Sequence, residues 1–150
     1  MRVAIGSDHA GFTLKGELGS LLDELRVEYR DFGTFSAETV DYPDFIAPVA
    51  RAVARGGFEL GIVLGGSGTG EAIVANKVRG IRCVEAADPV TARLGREHNN
   101  ANVLAIGSRI VGIEVARACV REFLTGEFQG GRHVARIEKI GRIEAEESGR

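Results

Sequence analysis

The chain has 150 residues, 44% of them hydrophobic and 27% charged, which is the composition of one soluble globular domain spanning 1–150. Its formal net charge of −2 gives no general attraction to nucleic acid or to an anionic membrane. No apolar run is long enough for a membrane span or a signal-peptide core, so we expect a cytoplasmic protein without membrane or nucleic-acid partners.

Short β-branched runs alternate with longer amphipathic stretches, which is typical of an α/β fold. Residues 2–6 predict a buried first strand. A helix is predicted directly after it from the spacing of Leu14, Leu18, Leu21, Leu22 and Leu25. A second strand over 27–32 and a loop to Tyr42 then precede a helix through Phe45, Val49 and Val53.

The clearest central strand covers 60–64 and runs directly into a glycine-rich loop at 65–70. A helix over 71–77 and a fourth strand over 81–84 are predicted next. The order of strand, loop and helix places the glycine loop at a helix N-terminus.

Asp88 followed by Pro89 predicts the start of another helix, because a carboxylate caps the first turn and proline fits within it. Asparagines at 99–100 predict its end in a left-handed conformation. A fifth strand over 102–106 and a fifth helix over 110–124 complete the pattern.

Five strand–helix units predict a three-layer Rossmann-like fold, in which helices cover both faces of a five-stranded parallel sheet. A last helix over 132–143 comes after the sheet is complete, and 144–150 is expected to be frayed. This helix is predicted to pack on a partner subunit, because a further surface is needed to bury Val134, Ile137, Ile140 and Ile143.

The two cysteines, Cys83 and Cys119, are too few for a disulfide framework. Neither lies in a CxxC motif or in a cluster with the spacing of zinc ligands. Both are therefore predicted to be buried thiols, and no metal site is expected.

Polar side chains follow the predicted strands at the sheet edge where open α/β folds bind ligands. An Asp–His pair is usually a cap or a turn, but its place at a strand end favours a chemical role. The candidate positions are Ser7, Asp8, His9 and Gly11, then Glu71, Asp88, Ser108 and Arg109.

The loop Gly66-Ser67-Gly68-Thr69-Gly70 does not match a dinucleotide fingerprint, and Glu71 stands where a triphosphate-binding loop requires lysine. Its backbone N–H groups suit an oxyanion that forms during a reaction. The helix dipole is expected to favour the ionised form of Glu71. A carboxylate that only complements this dipole is the alternative interpretation.

Arg132 and Arg136 are spaced i,i+4 and therefore share one helix face, where they and Arg109 form a candidate clamp for a phosphate monoester. The alternative is an ordinary solvated face. His98 at the end of its helix is equally compatible with a cation that complements the helix dipole. We assign no role to His133.

Several motifs occur in order along nearly the whole chain. They are Gly6-Ser7-Asp8-His9-Ala10-Gly11-Phe12, Asp41-Tyr42-Pro43-Asp44, the glycine loop with Ala75-Asn76-Lys77, Arg96-Glu97-His98-Asn99-Asn100-Ala101-Asn102 and Gly131-Arg132-His133. Together they resemble the type B ribose-5-phosphate isomerases of the ribose/galactose phosphate isomerase family.

The resemblance implies that phosphorylated aldoses and ketoses are interconverted through an enediolate, without metal or cofactor. It also implies a site shared between two subunits of a homodimer, or of a dimer of dimers. Asp8 and His98 of the partner subunit resemble the pair that opens the furanose ring.

The resemblance assigns the remaining roles position by position. His9, Arg109, Arg132 and Arg136 correspond to the phosphate-binding group, with the arginines reaching across the dimer interface. Asn99 and Tyr42 correspond to contacts with sugar hydroxyls. The groups that stabilise the enediolate oxygen in the family correspond to the backbone amides of Gly66, Ser67, Gly68, Thr69 and Gly70.

One departure from the family pattern concerns the catalytic base. Many members have a cysteine where this chain has Gly65, and Ser67 replaces the usual threonine. A second subgroup has glutamate at the position of Glu71. The residues and the resemblance therefore both predict Glu71 as the base, with Ser67 among the catalytic residues.

The expected reaction is the interconversion of ribose 5-phosphate and ribulose 5-phosphate. The same residues are compatible with an isomerase of allose 6-phosphate, galactose 6-phosphate or a tetrose 4-phosphate. A noncatalytic phosphate-binding module is the alternative from another class, because fold does not dictate function.

Overall fold

The computed structural model describes residues 1–149, which form five strands and six helices in strict alternation up to the last helix. The strands are β1 (Arg2–Ser7), β2 (Glu28–Asp31), β3 (Leu60–Gly65), β4 (Cys83–Glu85) and β5 (Val103–Gly107). The helices are α1 (Phe12–Glu24), α2 (Tyr42–Ala54), α3 (Thr69–Asn76), α4 (Pro89–Asn99), α5 (Ile113–Thr125) and α6 (Arg132–Glu147).

The strands form a parallel sheet in the order β2-β1-β3-β5-β4. This arrangement confirms the predicted three-layer, Rossmann-like α/β fold. The chain extends the sheet to one side of β1 with β2 and to the other side with β3. The loops that follow β1, β3 and β5 therefore meet at one edge of the sheet.

Successive side chains of each central strand enter different hydrophobic cores. Val3 and Ile5 pack in the core on the side of α1, α4 and α5, whereas Ala4 packs in the core on the side of α2 and α3. This alternation follows from the two-residue period of a strand and explains why β1, β3 and β5 are almost wholly apolar.

The ends of α4 confirm the predicted signals. The Asp88 side chain accepts a hydrogen bond of 2.8 Å from the Thr91 N–H, and Asn100 is left-handed with φ of 46°. Hydrogen bonding from Thr91 lowers the pKa of Asp88. Asp88 is thus a helix cap, and its predicted place among the ligand-binding positions is wrong.

The predicted bounds of the last two helices need correction. Helix α5 begins at Ile113, because Ile110 and the next residue turn back onto the Gly107 carbonyl. Helix α6 continues to Glu147, and the Glu144 carboxylate accepts from the Gly80 N–H at 2.9 Å, so 144–147 is ordered helix. Of the predicted frayed tail, position 150 lies outside the described residues.

Cys119 is buried as predicted, but Cys83 is only partly buried, because its strand lies at the sheet edge. Burial raises the pKa of the Cys119 thiol to about 11. Burial and nearby carboxylates raise the pKa of Cys83 well above its ordinary range. Both thiols therefore carry a proton at neutral pH.

Within the described residues, no cluster of His, Cys, Asp and Glu has a geometry suited to a metal ion. None of the helices in residues 1–149 combines the length and the apolar character that a membrane crossing requires.

Candidate active site

A cleft of about 360 Å³ opens at the carboxyl ends of β1, β3 and β5. Most of its lining comes from the predicted site residues. The lining residues are Asp8, His9, Ala10, Tyr42, Gly66, Ser67, Gly70, Glu71, Arg109 and Ile110.

The three loops around the cleft are tied together by short hydrogen bonds. The Ser108 hydroxyl donates to the carbonyl of Ala10 at 2.7 Å. The N–H groups of Ser108 and Arg109 donate to the carbonyls of Gly65 and Gly66 at 2.8 and 2.9 Å. These bonds hold the loop after β5 against the other two, which fixes the walls of the cleft before a ligand enters.

Asp8 and His9 lie side by side in the cleft, and each is oriented by the backbone. Asp8 is buried and accepts a 3.0 Å hydrogen bond from the Gly11 N–H. Nδ1 of His9 accepts from the Val40 N–H at 3.2 Å. This bond selects the neutral tautomer with hydrogen on Nε2, which leaves His9 a donor for an anion.

The glycine loop turns sharply into α3, because Gly68 is left-handed with φ of 86°. The Ser67 hydroxyl accepts a hydrogen bond of 3.2 Å from the Thr69 N–H, so the amide of Thr69 already has a partner. A β-carbon on Gly70 would lie 2.9 Å from Cζ of Tyr42. Glycine at this position therefore lets the Tyr42 ring close one side of the cleft.

Glu71 projects from the first turn of α3 and is only 3% exposed. Its carboxylate occupies the space beside Gly65: a β-carbon built at Gly65 would lie 2.6 Å from Oε2 and would overlap Oε1. Position 65 is therefore limited to glycine as long as the Glu71 side chain adopts this conformation.

Burial raises the pKa of Glu71, and the negative charges of Asp8 and Glu85 raise it further. Hydrogen bonds from the backbone N–H groups of Glu71 and Gly68 oppose this shift without cancelling it. The expectation that the helix dipole favours the ionised form is therefore outweighed by desolvation. A carboxylate with a raised pKa is a stronger base than an ordinary carboxylate, which suits it to take and return a proton.

Arg109 lines the same cleft as Asp8 and Glu71 of its own chain. Its guanidinium lies over Gly66, with Nη1 3.4 Å from the place of a β-carbon there. The prediction that Arg109 reaches the site from the partner subunit is therefore wrong. Its backbone bond to the glycine loop keeps it in the cleft of its own subunit.

Gly68 and Thr69 of the glycine loop do not line this cleft as residues 1–149 form it. Four further predicted residues are also absent from its lining in this part of the chain: His98, Asn99, Arg132 and Arg136. They belong to the end of α4 and the start of α6. Asn99 lines another cavity, of about 650 Å³, together with residues of α6. Arg132 and Arg136 are exposed. Within one subunit, the predicted residues thus form two separate groups.

Sequence reasoning missed Glu85, which ends β4. Its Oε1 accepts a hydrogen bond of 3.1 Å from the Thr69 hydroxyl, so it braces the first turn of α3 beside the base. The available signal was its place at a strand end. The prediction ended that strand at Val84 and selected Asp88 instead.

The fold and this cleft define an α/β protein in which a buried carboxylate with a raised pKa lies in one cleft with the Arg109 guanidinium. The sequence model of the Ribose/Galactose Isomerase family matches residues 3–140. The chain belongs to this family.

Ribose-5-phosphate isomerase B of Escherichia coli is 48% identical over 143 residues, covering 95% of this chain and 96% of that protein. The structure of Clostridium thermocellum ribose-5-phosphate isomerase B superposes with a TM-score of 0.96 at 49% identity, covering 97% and 99% of the two chains. Relatives with other activities include the D-erythrulose-4-phosphate isomerase of Pectobacterium atrosepticum, which is 37% identical over 98% of this chain and 97% of its own length.

Proposed function

We propose that the chain interconverts ribose 5-phosphate and ribulose 5-phosphate, with Glu71 as the base that moves a proton between C2 and C1. The observation that carries this proposal is the buried Glu71 carboxylate with a raised pKa, next to the N–H groups of the glycine loop. A group that only complemented the helix dipole would have no need of burial beside a ligand cleft.

The reaction follows from these groups. Glu71 removes the proton on C2 of the open-chain aldose, and the electrons of that bond form the enediolate as negative charge moves to O1. Loop N–H groups, with the amides of Gly66 and Gly70 as candidates, stabilise this oxygen, because the Gly68 N–H already donates to the Glu71 carboxylate. Glu71 then returns the proton to C1, while the proton of the O2 hydroxyl passes to O1, so that C2 becomes the carbonyl carbon of the ketose. These proton transfers require no metal or cofactor. General acid–base catalysis typically accelerates a reaction by about 10²–10⁴-fold.

Ser67 has a supporting part in this scheme. Its oxygen accepts from the Thr69 N–H, which leaves its own hydroxyl hydrogen to donate to a substrate oxygen in the cleft. Tyr42, whose ring lies against Gly70 in the lining of the cleft, is assigned to a sugar hydroxyl.

The phosphate is assigned to His9 and Arg109 within one subunit and to Arg132 and Arg136 of the partner subunit. Nε2–H of His9 and the Arg109 guanidinium are both donors, and charge-assisted bonds of this kind fix a phosphate in place. Anchoring the remote phosphate holds the reacting carbons beside the base.

The surface of the subunit supports a shared site. Apolar side chains on α3 and α6 are exposed in the single chain: Ile73 by 57%, Val134 by 41%, Ile140 by 46% and Ile143 by 61%. A two-fold homodimer would bury such a surface twice. We propose that it also brings Asn99 and the ring-opening His98 of one subunit to Asp8 of the other.

A panel of aldose phosphates with four, five and six carbons tests the proposal. We expect the highest kcat/KM for ribose 5-phosphate and loss of turnover in Glu71→Gln, with binding retained. A higher kcat/KM for a tetrose phosphate would instead indicate a substrate like that of the Pectobacterium relative. Binding of sugar phosphates without turnover of any of them, by the unaltered protein, would favour a noncatalytic module.

A further inference from the structure

His133 is one of three histidines in the chain and the one to which the proposed reaction gives no task. It is only 6% exposed, although its neighbours on α6 are exposed. Its ring stacks on the ring of His98, with centroids 4.4 Å apart and planes inclined by 13°. The buried histidine thus covers one face of the imidazole assigned to ring opening.

Hydrogen bonds to backbone carbonyls anchor both sides of this stack. The Gln129 N–H donates to the carbonyl of Glu97 at 3.0 Å, which joins the segment before α6 to the last turn of α4. Nε of Arg82 donates to the carbonyls of Asn99 and Asn100 at 3.0 Å each. The backbone around His98 is therefore fixed, and the freedom left to its side chain is rotation about its own bonds.

The charges around His133 favour a neutral ring. Burial lowers its pKa, and the positive neighbours reinforce this effect: His98 on α4, then Arg132 and Arg136 on α6. A flat neutral ring can remain stacked on His98 while His98 gains and loses a proton.

We propose that His133 is a positioning residue that holds the His98 imidazole in the plane required to open the furanose in the partner's cleft. In that step His98 donates a proton to the ring oxygen, the bond from C1 to that oxygen breaks, and Asp8 of the partner subunit takes the proton of the C1 hydroxyl as the aldehyde forms. Because His133 lies between Arg132 and Arg136 in sequence, the same helix positions both this ring and the phosphate clamp. The inference rests on the proposed function.

The decisive comparison separates ring opening from enediolate formation. Ribulose 5-phosphate is acyclic because its O5 carries the phosphate, so exchange of its C1 hydrogen in D2O requires the base but no ring opening. In His133→Leu we expect turnover of ribose 5-phosphate to fall on the order of 10- to 100-fold, while the exchange rate changes less than about twofold. His133→Phe, which keeps a flat ring, should recover most of the turnover.

A second measurement does not depend on activity. The imidazole resonances of His9, His98 and His133 can be assigned by single substitutions. In His133→Leu the His98 signals should lose their ring-current shift and broaden, and in His133→Phe a ring-current shift should persist.

Each failure has a distinct meaning. If the unaltered protein has no isomerase activity, the proposed function is overturned. The His98 resonances then still test whether His133 positions the His98 ring. Equal losses of turnover and exchange in His133→Leu, or His98 signals that are the same in both variants and in the unaltered protein, overturn the positioning role.

Discussion

The carboxylate of Glu71 fills the volume that a β-carbon at position 65 would need. The two residues belong to different elements, since Gly65 ends β3 and Glu71 lies in the first turn of α3. A side chain at position 65 and the observed conformation of the Glu71 carboxylate therefore exclude one another. A cysteine at position 65, which the family resemblance leads one to expect, would therefore compete for space with the observed Glu71 side chain.

The first prediction concerns this exclusion. Gly65→Ala should displace the Glu71 side chain, destabilise the protein by about 1–3 kcal/mol through overpacking and reduce kcat by about 10²–10⁴-fold. Gly65→Cys should be similarly impaired. In the double variant Gly65→Cys/Glu71→Ala the clash is absent, so turnover should partly return and become sensitive to iodoacetamide. Full activity in Gly65→Ala would contradict the assignment of Glu71.

The sequence predicted the fold well because the strongest signals were local. The apolar runs, the Asp88 cap and the left-handed Asn100 depend on neighbours within a few residues. The proximity of Gly65 and Glu71 was not predictable in this way, because it depends on how α3 leaves the sheet.

The site was predicted where polar residues directly follow a strand and were selected. Asp8, His9 and Glu71 line the cleft. Glu85 also directly follows the predicted fourth strand, but Asp88, with its helix-cap signal, was selected in its place. The prediction named the wrong subunit as the source of Arg109. A family resemblance carries no information on the backbone hydrogen bond from Arg109 to Gly66, which keeps Arg109 in the cleft of its own subunit.

The second prediction is that Glu71→Gln stabilises the protein at neutral and higher pH. The folded state raises the pKa of Glu71 above its unfolded value, so the unfolded chain releases this proton first as the pH rises. Stability due to this group is present at low pH and is lost as the pH rises through the folded-state pKa. The melting temperature of Glu71→Gln should therefore exceed that of the unaltered protein at pH 8, and the two should converge at pH 4.

The third prediction concerns Glu85, whose negative charge raises the pKa of Glu71. Glu85→Gln should lower that pKa and move the acid limb of the kcat/KM profile to lower pH, while the amide oxygen can still accept from Thr69. Glu28→Gln is the matched control, because Glu28 pairs with Arg2 at the opposite end of the strands. Equal profiles for both variants would exclude an influence of Glu85 on the base.

The last prediction tests the shared site by complementation. Glu71→Gln and His98→Asn should each be inactive as homodimers. If Glu71 of one subunit works with His98 of the other, a mixed dimer contains one site with both defects and one with neither. An equal mixture after subunit exchange should therefore regain about a quarter of the unaltered activity, since about half of the dimers are mixed and each has one intact site. Arg132→Ala in place of His98→Asn should complement in the same way.

A mixture of Glu71→Gln with Asp8→Asn is the control, because both defects lie in the cleft of one subunit. Its mixed dimers carry one defect in each site and should remain inactive. Verified exchange without recovery, or full activity in a sedimenting monomer, would rule out the shared site.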